Sequence, residues 1–232
     1  MPESASELKT REDVRRLSVG KTVIGSGAYG EVRLGRIWFK GKKPLRVAVK
    51  LPHVAIQTNE IPRYEAVVKA LRESGVPVPH AGFVQHDGKW VQVMHLFGST
   101  NKKSKIKDVA NMLLHDNSGK SPLTNPKVCE ELLDTVAKIA NSGFWPTFDS
   151  IGLMQTTTGP KLIVHDLDAY TRPFYWRAKP KGRLAELFDG AWHIARHAGT
   201  SQREILQRLH DKLKNNETRE AIRRMLDEMN RK

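Results

Sequence analysis

The chain is predicted to be an α+β protein in two unequal parts, an antiparallel sheet with one helix followed by a mainly helical part. Three observations lead there. Branched and aromatic residues alternate between Gly and Pro breaks over residues 17–51 and again over 82–96. A single helical period, residues 60–74, separates those stretches, and from Pro126 apolar residues recur mostly at helical spacing around one further hairpin pattern.

In order along the chain, residues 1–17 are polar and are expected to form a loose arm or a short helix, with 1–14 as the flexible arm outside the first part. Strands are expected up to Ile24, over 31–39 and over 46–51, the last two joined by the basic turn Lys40-Gly41-Lys42-Lys43-Pro44. The helix carries Ile61, Tyr64, Val67, Val68 and Leu71 at helical spacing and stops at Gly75. Val76-Pro77-Val78-Pro79 is extended, and strands 82–85 and 90–96 flank a turn at Asp87-Gly88. Past Gly98 the texture turns polar, with a short helix expected at 106–114 and a loop at 116–126. An amphipathic helix follows at 126–142, then a hairpin of 151–155 and 161–165, then three helices near 184–197, 201–214 and 218–229. Their Leu, Ile and Met stripes are expected to be core. The expected division is 15–97 and 98–232.

With 232 residues, 39% hydrophobic and 28% charged, the composition is that of a soluble globular chain. A chain of this size buries about 70% of its unfolded surface, so it needs no disulfide or metal staple. The single cysteine, Cys129, excludes an intramolecular disulfide framework, and its helical neighbours Val128, Leu132, Leu133 and Val136 mark it as a buried small hydrophobe. A reducing, cytoplasmic setting is expected, or export without a cleaved signal. The opening residues are charged and form neither a secretory signal nor a membrane anchor, and no run approaches the roughly 18 apolar residues of a membrane span. Thirty-nine Lys+Arg against 25 Asp+Glu give a net charge of +14, a field that attracts polyanions. The basic residues concentrate at 40–46, 102–107, 172–183 and in the terminal helices, without the interleaved aromatics of a single-strand binding stripe. The charge permits nucleic-acid binding without indicating it.

The sharpest local signal is Gly25-Ser26-Gly27-Ala28-Tyr29-Gly30-Glu31-Val32, between two predicted strands. Glycines so spaced let a tight hairpin bring backbone N–H groups over phosphate oxygens. In dinucleotide-binding folds the same spacing opens a helix, whereas here strand residues Val32, Leu34 and Ile37 follow. Next comes Val47-Ala48-Val49-Lys50, an ammonium on a half-buried strand, which is costly unless paired or facing a ligand. Fifteen residues on, Glu65 stands on the predicted helix, with Glu60 as the competing carboxylate partner for Lys50.

Glycine loop, strand lysine and helix glutamate in this order resemble the protein-kinase superfamily. The resemblance implies a two-lobed fold: an antiparallel β N-lobe with one helix, and a reduced, mainly helical C-lobe. The Val-Pro-Val-Pro tail after the helix is more similar to small-molecule and atypical kinases. Val91-Gln92-Val93-Met94-His95-Leu96-Phe97-Gly98 resembles the last N-lobe strand entering a hinge, which implies Met94 as the gatekeeper and backbone groups of His95 to Phe97 meeting adenine; an ordinary edge strand is the alternative. Lys161-Leu162-Ile163-Val164-His165-Asp166-Leu167-Asp168 resembles the strand ending in the magnesium-binding Asp-Phe-Gly motif, with Asp166 and Asp168 as metal carboxylates; a solvated turn is the alternative. The family's His-Arg-Asp with Asn five residues on is missing. Asp149 stands 17 residues before Asp166, near the usual separation, without His, Arg or the following Asn. It either orients an acceptor hydroxyl, holds a second metal or caps a turn. In an alternative register Asp166 belongs to the catalytic loop and Phe188-Asp189-Gly190 to the metal motif. The basic run Arg172, Arg177, Lys179, Lys181 and Arg183 either meets acidic substrate or is a solvated loop.

The resemblance therefore implies ATP with Mg²⁺ and phosphoryl transfer to a hydroxyl, most simply of a protein Ser or Thr, as in the small kinases found among bacterial effectors. Amides of the glycine loop (Gly25, Ser26, Gly27, Ala28, Tyr29, Gly30) would hold the phosphates, Val32, Ala48, Met94, His95 and Phe97 the base, and Lys50 with Glu65 the α/β-phosphates. The rival readings are a pseudokinase that binds nucleotide without turnover and a basic nucleic-acid-binding protein.

Overall fold

The computed structural model describes residues 14–27, 29–79, 81–95, 107–115, 121–156, 159–167 and 180–231. The chain divides into two compact units, Met1–Val68 with Pro79–Phe97, and Lys69–Val78 with Gly98–Lys232. Most of the expected arm lies outside the described residues. Residues 14–17 are strand rather than the polar arm expected there, because Val14 and Leu17 pack on the sheet's core.

The first unit holds strands β1 (Val14–Gly27), β2 (Gly30–Phe39), β3 (Leu45–Pro52), β4 (Ala81–His86) and β5 (Lys89–His95). They form one antiparallel sheet in the order β1-β2-β3-β5-β4. Helix α1 (Ile61–Glu73) lies in the connection between β3 and β4. Strand parity explains the core: Ile37, Val47, Val49, Val91 and Val93 share one face and are nearly or fully buried. Each contributes about 1.5–3 kcal/mol by leaving water. Strand β1 slips register between Val19 and Val23, a bulge that bends the strand, and it reaches as far as β4. The opposite face receives α1. Ile61, Tyr64 and Phe83 form a second buried cluster, with Ile56 and Trp90 at its margin. The Tyr64 and Phe83 rings meet edge-on at 5.1 Å, and the Trp90 indole N–H donates to Thr58 Oγ1 at 3.0 Å. Helix α1 ends where the sequence predicts, at Gly75, whose φ of +73° suits a residue without Cβ.

The second unit combines a three-stranded sheet, β6 (Lys107–Asp108), β7 (Ile151–Thr156) and β8 (Gly159–Val164), with five helices among the described residues. These are α2 (Val109–His115), α3 (Pro126–Asn141), α4 (Pro180–Ala198), α5 (Gln202–Lys212) and α6 (Asn216–Met229). The expected helix at 106–114 is in fact a two-residue strand followed by α2, because Lys107 and Asp108 pair with Leu153 and Gly152. Helix α3 is capped by the Asn125 side chain, which accepts from the Lys127 N–H at 2.9 Å, and Pro126 occupies its first turn. It buries Val128, Cys129, Leu132, Leu133, Val136 and Ile139. Cys129 is buried as expected and donates its S–H to the Leu123 carbonyl at 2.7 Å. Burial pushes its thiol pKa up. Helix α5 is held to α3 by an ion cluster. Lys212 pairs with Asp134 at 2.6 Å and with Glu130, which also pairs with Arg208. Asn141 closes the end of α5, donating to the Lys212 carbonyl and accepting from the Lys214 and Asn215 N–H groups. Stripes from the three terminal helices (Leu187, Ile194, Ile205, Leu206, Leu209, Ile222, Leu226) are buried, as predicted. Among the described residues no helix is long and apolar enough to cross a membrane.

Candidate functional site

Register places the first group of candidates. Gly27 pairs with Gly30, closing a hairpin whose tip is Ala28 and Tyr29. Ala28 lies outside the described residues. The Tyr29 carbonyl accepts from the His53 N–H at 3.1 Å, which ties the tip to the chain just past β3. The three glycines differ in what they permit. A Cβ on Gly30 would lie 2.5 Å from the Leu51 carbonyl oxygen and 3.1 Å from Pro52 Cα, so this glycine is required by the chain's own packing. Among the described residues a Cβ on Gly27 would meet nothing within 4 Å, and one on Gly25 would make only ordinary contact with Val32. Packing among the described residues therefore does not itself require glycine at Gly25 or Gly27. The Glu31 carboxyl is held below its usual range by its hydrogen bond from Arg33.

Across β2, β3 and β5, Val32 faces Lys50, which faces Gln92; one step along, Leu34 faces Ala48, which faces Met94. Val32, Ala48, Lys50 and Met94 thus share one face, the face that carries Phe83 and receives α1. Ala48 and Met94 are buried and Lys50 is half-buried. His95 is the last residue of β5, opposite Val47, and Phe97 lies outside the described residues. Of the two carboxylates weighed against Lys50, Glu60 is committed to capping: it accepts from the Gln57 N–H at 2.7 Å. Glu65 is exposed on α1 and belongs to the same unit as Lys50.

In the second unit a 3-10 turn, Phe148–Ser150, carries Asp149, which is exposed. The terminal pair of the β7–β8 hairpin is Ile151 with Val164, so Asp149 and Asp166 each stand two residues beyond it at its open end. One buried residue joins the two segments. The Ser150 carbonyl accepts from the N–H groups of His165 (2.9 Å) and Asp166 (3.4 Å), while Ser150 Oγ donates to the Thr147 carbonyl (2.6 Å). Asp166 is half-buried, and Asp168 lies outside the described residues. The Val164 N–H donates to the Pro77 carbonyl at 2.8 Å, which gives the Val-Pro-Val-Pro tail a structural task. The 3-10 turn is pinned from below by Phe148: a Cβ on Gly190 would lie 2.0 Å from its ring. That contact also removes the alternative register. Phe188, Asp189 and Gly190 lie within α4, Asp189 is exposed, and Gly190 serves helix packing.

Among the described residues no group of three or more His, Cys, Asp or Glu side chains assembles, as a zinc or dedicated calcium cage would need. A magnesium ion takes one or two carboxylates and fills its octahedron with phosphate oxygens and water, which Asp166 can serve.

No family model matches the chain, and no curated protein matches it.

Two residues of these neighbourhoods escape a motif-based reading. Gln92 was visible as the one polar residue in Val91-Gln92-Val93-Met94, and its parity with Met94 assigns it to the Lys50 face. Ser150 contributes a main-chain carbonyl, which no residue type announces.

Proposed function

We propose that the chain is an ATP-dependent phosphotransferase of minimal, protein-kinase-like type, acting on a hydroxyl of a protein Ser or Thr. The observation that carries this reading is the cross-strand register that gathers Val32, Ala48, Lys50 and Met94 on one face beside an open glycine turn. The strand order β1-β2-β3-β5-β4, with α1 between β3 and β4 and packed on that same face, supports it. In this reading Gly25 to Gly30 offer backbone N–H groups to the phosphates. Val32, Ala48 and Met94 contact the base, with main-chain groups of His95 to Phe97. Lys50, paired with Glu65, neutralises charge on the α/β-phosphates. The acceptor oxygen attacks the γ-phosphorus, the bond to the β,γ-bridging oxygen breaks, ADP leaves, and the hydroxyl proton passes to Asp149 or solvent. Mg²⁺, held by Asp166 with Asp168, would neutralise the phosphate oxygens. Because such transfer depends mainly on positioning and electrostatics, the missing His-Arg pair beside Asp149 need not abolish activity.

A second reading is favoured by that same departure. Asp149 sits exposed on a 3-10 turn with no Asn after it, which suits a nucleotide-binding module without turnover. Radiolabelled ATP separates the two. Label is expected in generic protein substrates or in the chain itself with wild type, and none with Lys50→Met or Asp166→Asn. Thermal stabilisation by Mg-ATP without transfer selects the second reading. Stabilisation and labelling equal in all three proteins would overturn both. Steep salt-dependent RNA or DNA binding that survives both substitutions would instead point to a nucleic-acid-binding protein.

A further inference from the structure

The Lys50 face contains a polar group that the motif does not use. Gln92 lies directly across from Lys50 in the β3–β5 register and directly across from Phe83 in the β4–β5 register. It is 3% exposed, and its Nε2 is buried with no hydrogen-bond partner among the described residues. Around it on the same face stand Val32, Ala48, Phe83 and Met94, all apolar, with Tyr64 of α1 meeting Phe83 edge-on. An aliphatic residue would fill this place without stranding a donor, and stranded buried donors are rare enough to call for a reason.

We propose that Gln92 is a positioning residue for Lys50. Its carboxamide oxygen accepts from the Lys50 ammonium, and its amide nitrogen is the donor that receives the Glu65 carboxylate when Glu65 pairs with Lys50. The chemistry fixes which end does what. Lysine has only donors, so the oxygen must turn to it, and the amide N–H is then left for an acceptor. Directly opposite residues have Cβ atoms about 4.5–5.5 Å apart, within reach for both long side chains. Helix α1, packed on this face through Ile61 and Tyr64, brings Glu65 one residue past Tyr64. One side chain thereby links β3, β5 and α1, and holds the ammonium in a single direction. The use of this link in catalysis rests on the phosphotransferase reading; the link itself does not.

The test reads Lys50 directly. Acetic anhydride labelling of the full chain across pH, quantified at the Lys50 peptide by mass spectrometry, gives the midpoint of its titration without nucleotide. Gln92→Met removes an acceptor that favours the charged amine, so the midpoint should fall by about half a pH unit or more. Gln92→Glu keeps an acceptor and adds charge, so the midpoint should rise; this variant also serves if Gln92→Met folds poorly. Mg-ATP thermal stabilisation, measured in parallel, should weaken in Gln92→Met and weaken no further when Lys50→Met is added, as expected of residues acting together. An unmoved midpoint in both variants, with Gln92→Met simply more heat-stable, overturns the proposal and leaves Gln92 a buried amide. Shifted midpoints in a protein that ATP does not stabilise uphold the Lys50–Gln92 link while the phosphotransferase reading fails.

Discussion

The β1–β2 hairpin and the β7–β8 hairpin present their candidate chemistry at opposite ends. In the first, the glycines of interest form the closed tip, where Gly27 meets Gly30. In the second, Asp149 and Asp166 flank the open end, two residues beyond the Ile151–Val164 pair, and are joined through the Ser150 carbonyl. A tip is specified locally, by residues that tolerate a tight turn and close approach. An open end is specified by register, which depends on every pair between it and the turn. A change at the tip should therefore act locally, whereas a change in what holds the open end should disturb both carboxylates together.

The largest effect is expected at the open end. Asp166→Asn should lower phosphoryl transfer by about 10³-fold, the scale of removing one electrostatic stabiliser. Asp149→Asn should cost about 10²-fold if that carboxylate takes the acceptor proton. Equal, small losses from both would break the comparison by making the hairpin end a solvated turn. Next comes the support under Asp149. Gly190→Ala forces a Cβ into the Phe148 ring and should destabilise by about 3 kcal/mol, roughly 6–12 °C in Tm, with Phe148→Leu added to it recovering part of the loss. At the tip the glycines should separate. Gly30→Ala should cost about 1–3 kcal/mol because Leu51 and Pro52 are backbone neighbours, while Gly27→Ala should change stability by less than about 0.5 kcal/mol and weaken Mg-ATP binding. Thermal melts with and without nucleotide check both. The smallest effect lies away from either hairpin. Hydrogen bonds from Lys212 and Arg208 hold the Glu130 carboxyl below its usual value. Its contribution is present above the ordinary carboxylate pKa and is lost as pH falls through the depressed folded value. With the Glu130 side chain 41% exposed, solvent screening limits this to about 0.5–1 kcal/mol. Glu130→Gln should therefore melt about 1–4 °C below wild type at pH 7, the gap closing as pH falls through the depressed folded value of Glu130.

Much of the α+β architecture was legible because two periodicities are hard to confuse. Ile37, Val47, Val49, Val91 and Val93 alternate with residues of the other face, and Ile61, Tyr64, Val68 and Leu71 follow a helical stripe. The break at Gly75 was legible from its backbone freedom. What escaped has physical causes. Two residues, Lys107 and Asp108, carry no period, so β6 emerges only through its pairing with Leu153 and Gly152. The motif glycines look equivalent as letters, yet Gly30 is fixed by β3 and Gly27 is crowded by no neighbour among the described residues, a distinction that needs residues distant in sequence. Gly190 looked like part of a metal motif in one register because composition does not reveal that a buried ring occupies its missing side chain's place. The joining of Asp149 to Asp166 through Ser150 uses main-chain atoms, which every residue possesses.

The lone thiol gives this protein a built-in clock. Since Cys129 is enclosed among α3 side chains and bonded to Leu123, an alkylating reagent can reach it only when that helix parts from its neighbours. The speed of modification in unmutated protein then reports how often the second unit breathes, and the same reaction scores any variant above without a dye, a tag or an added label.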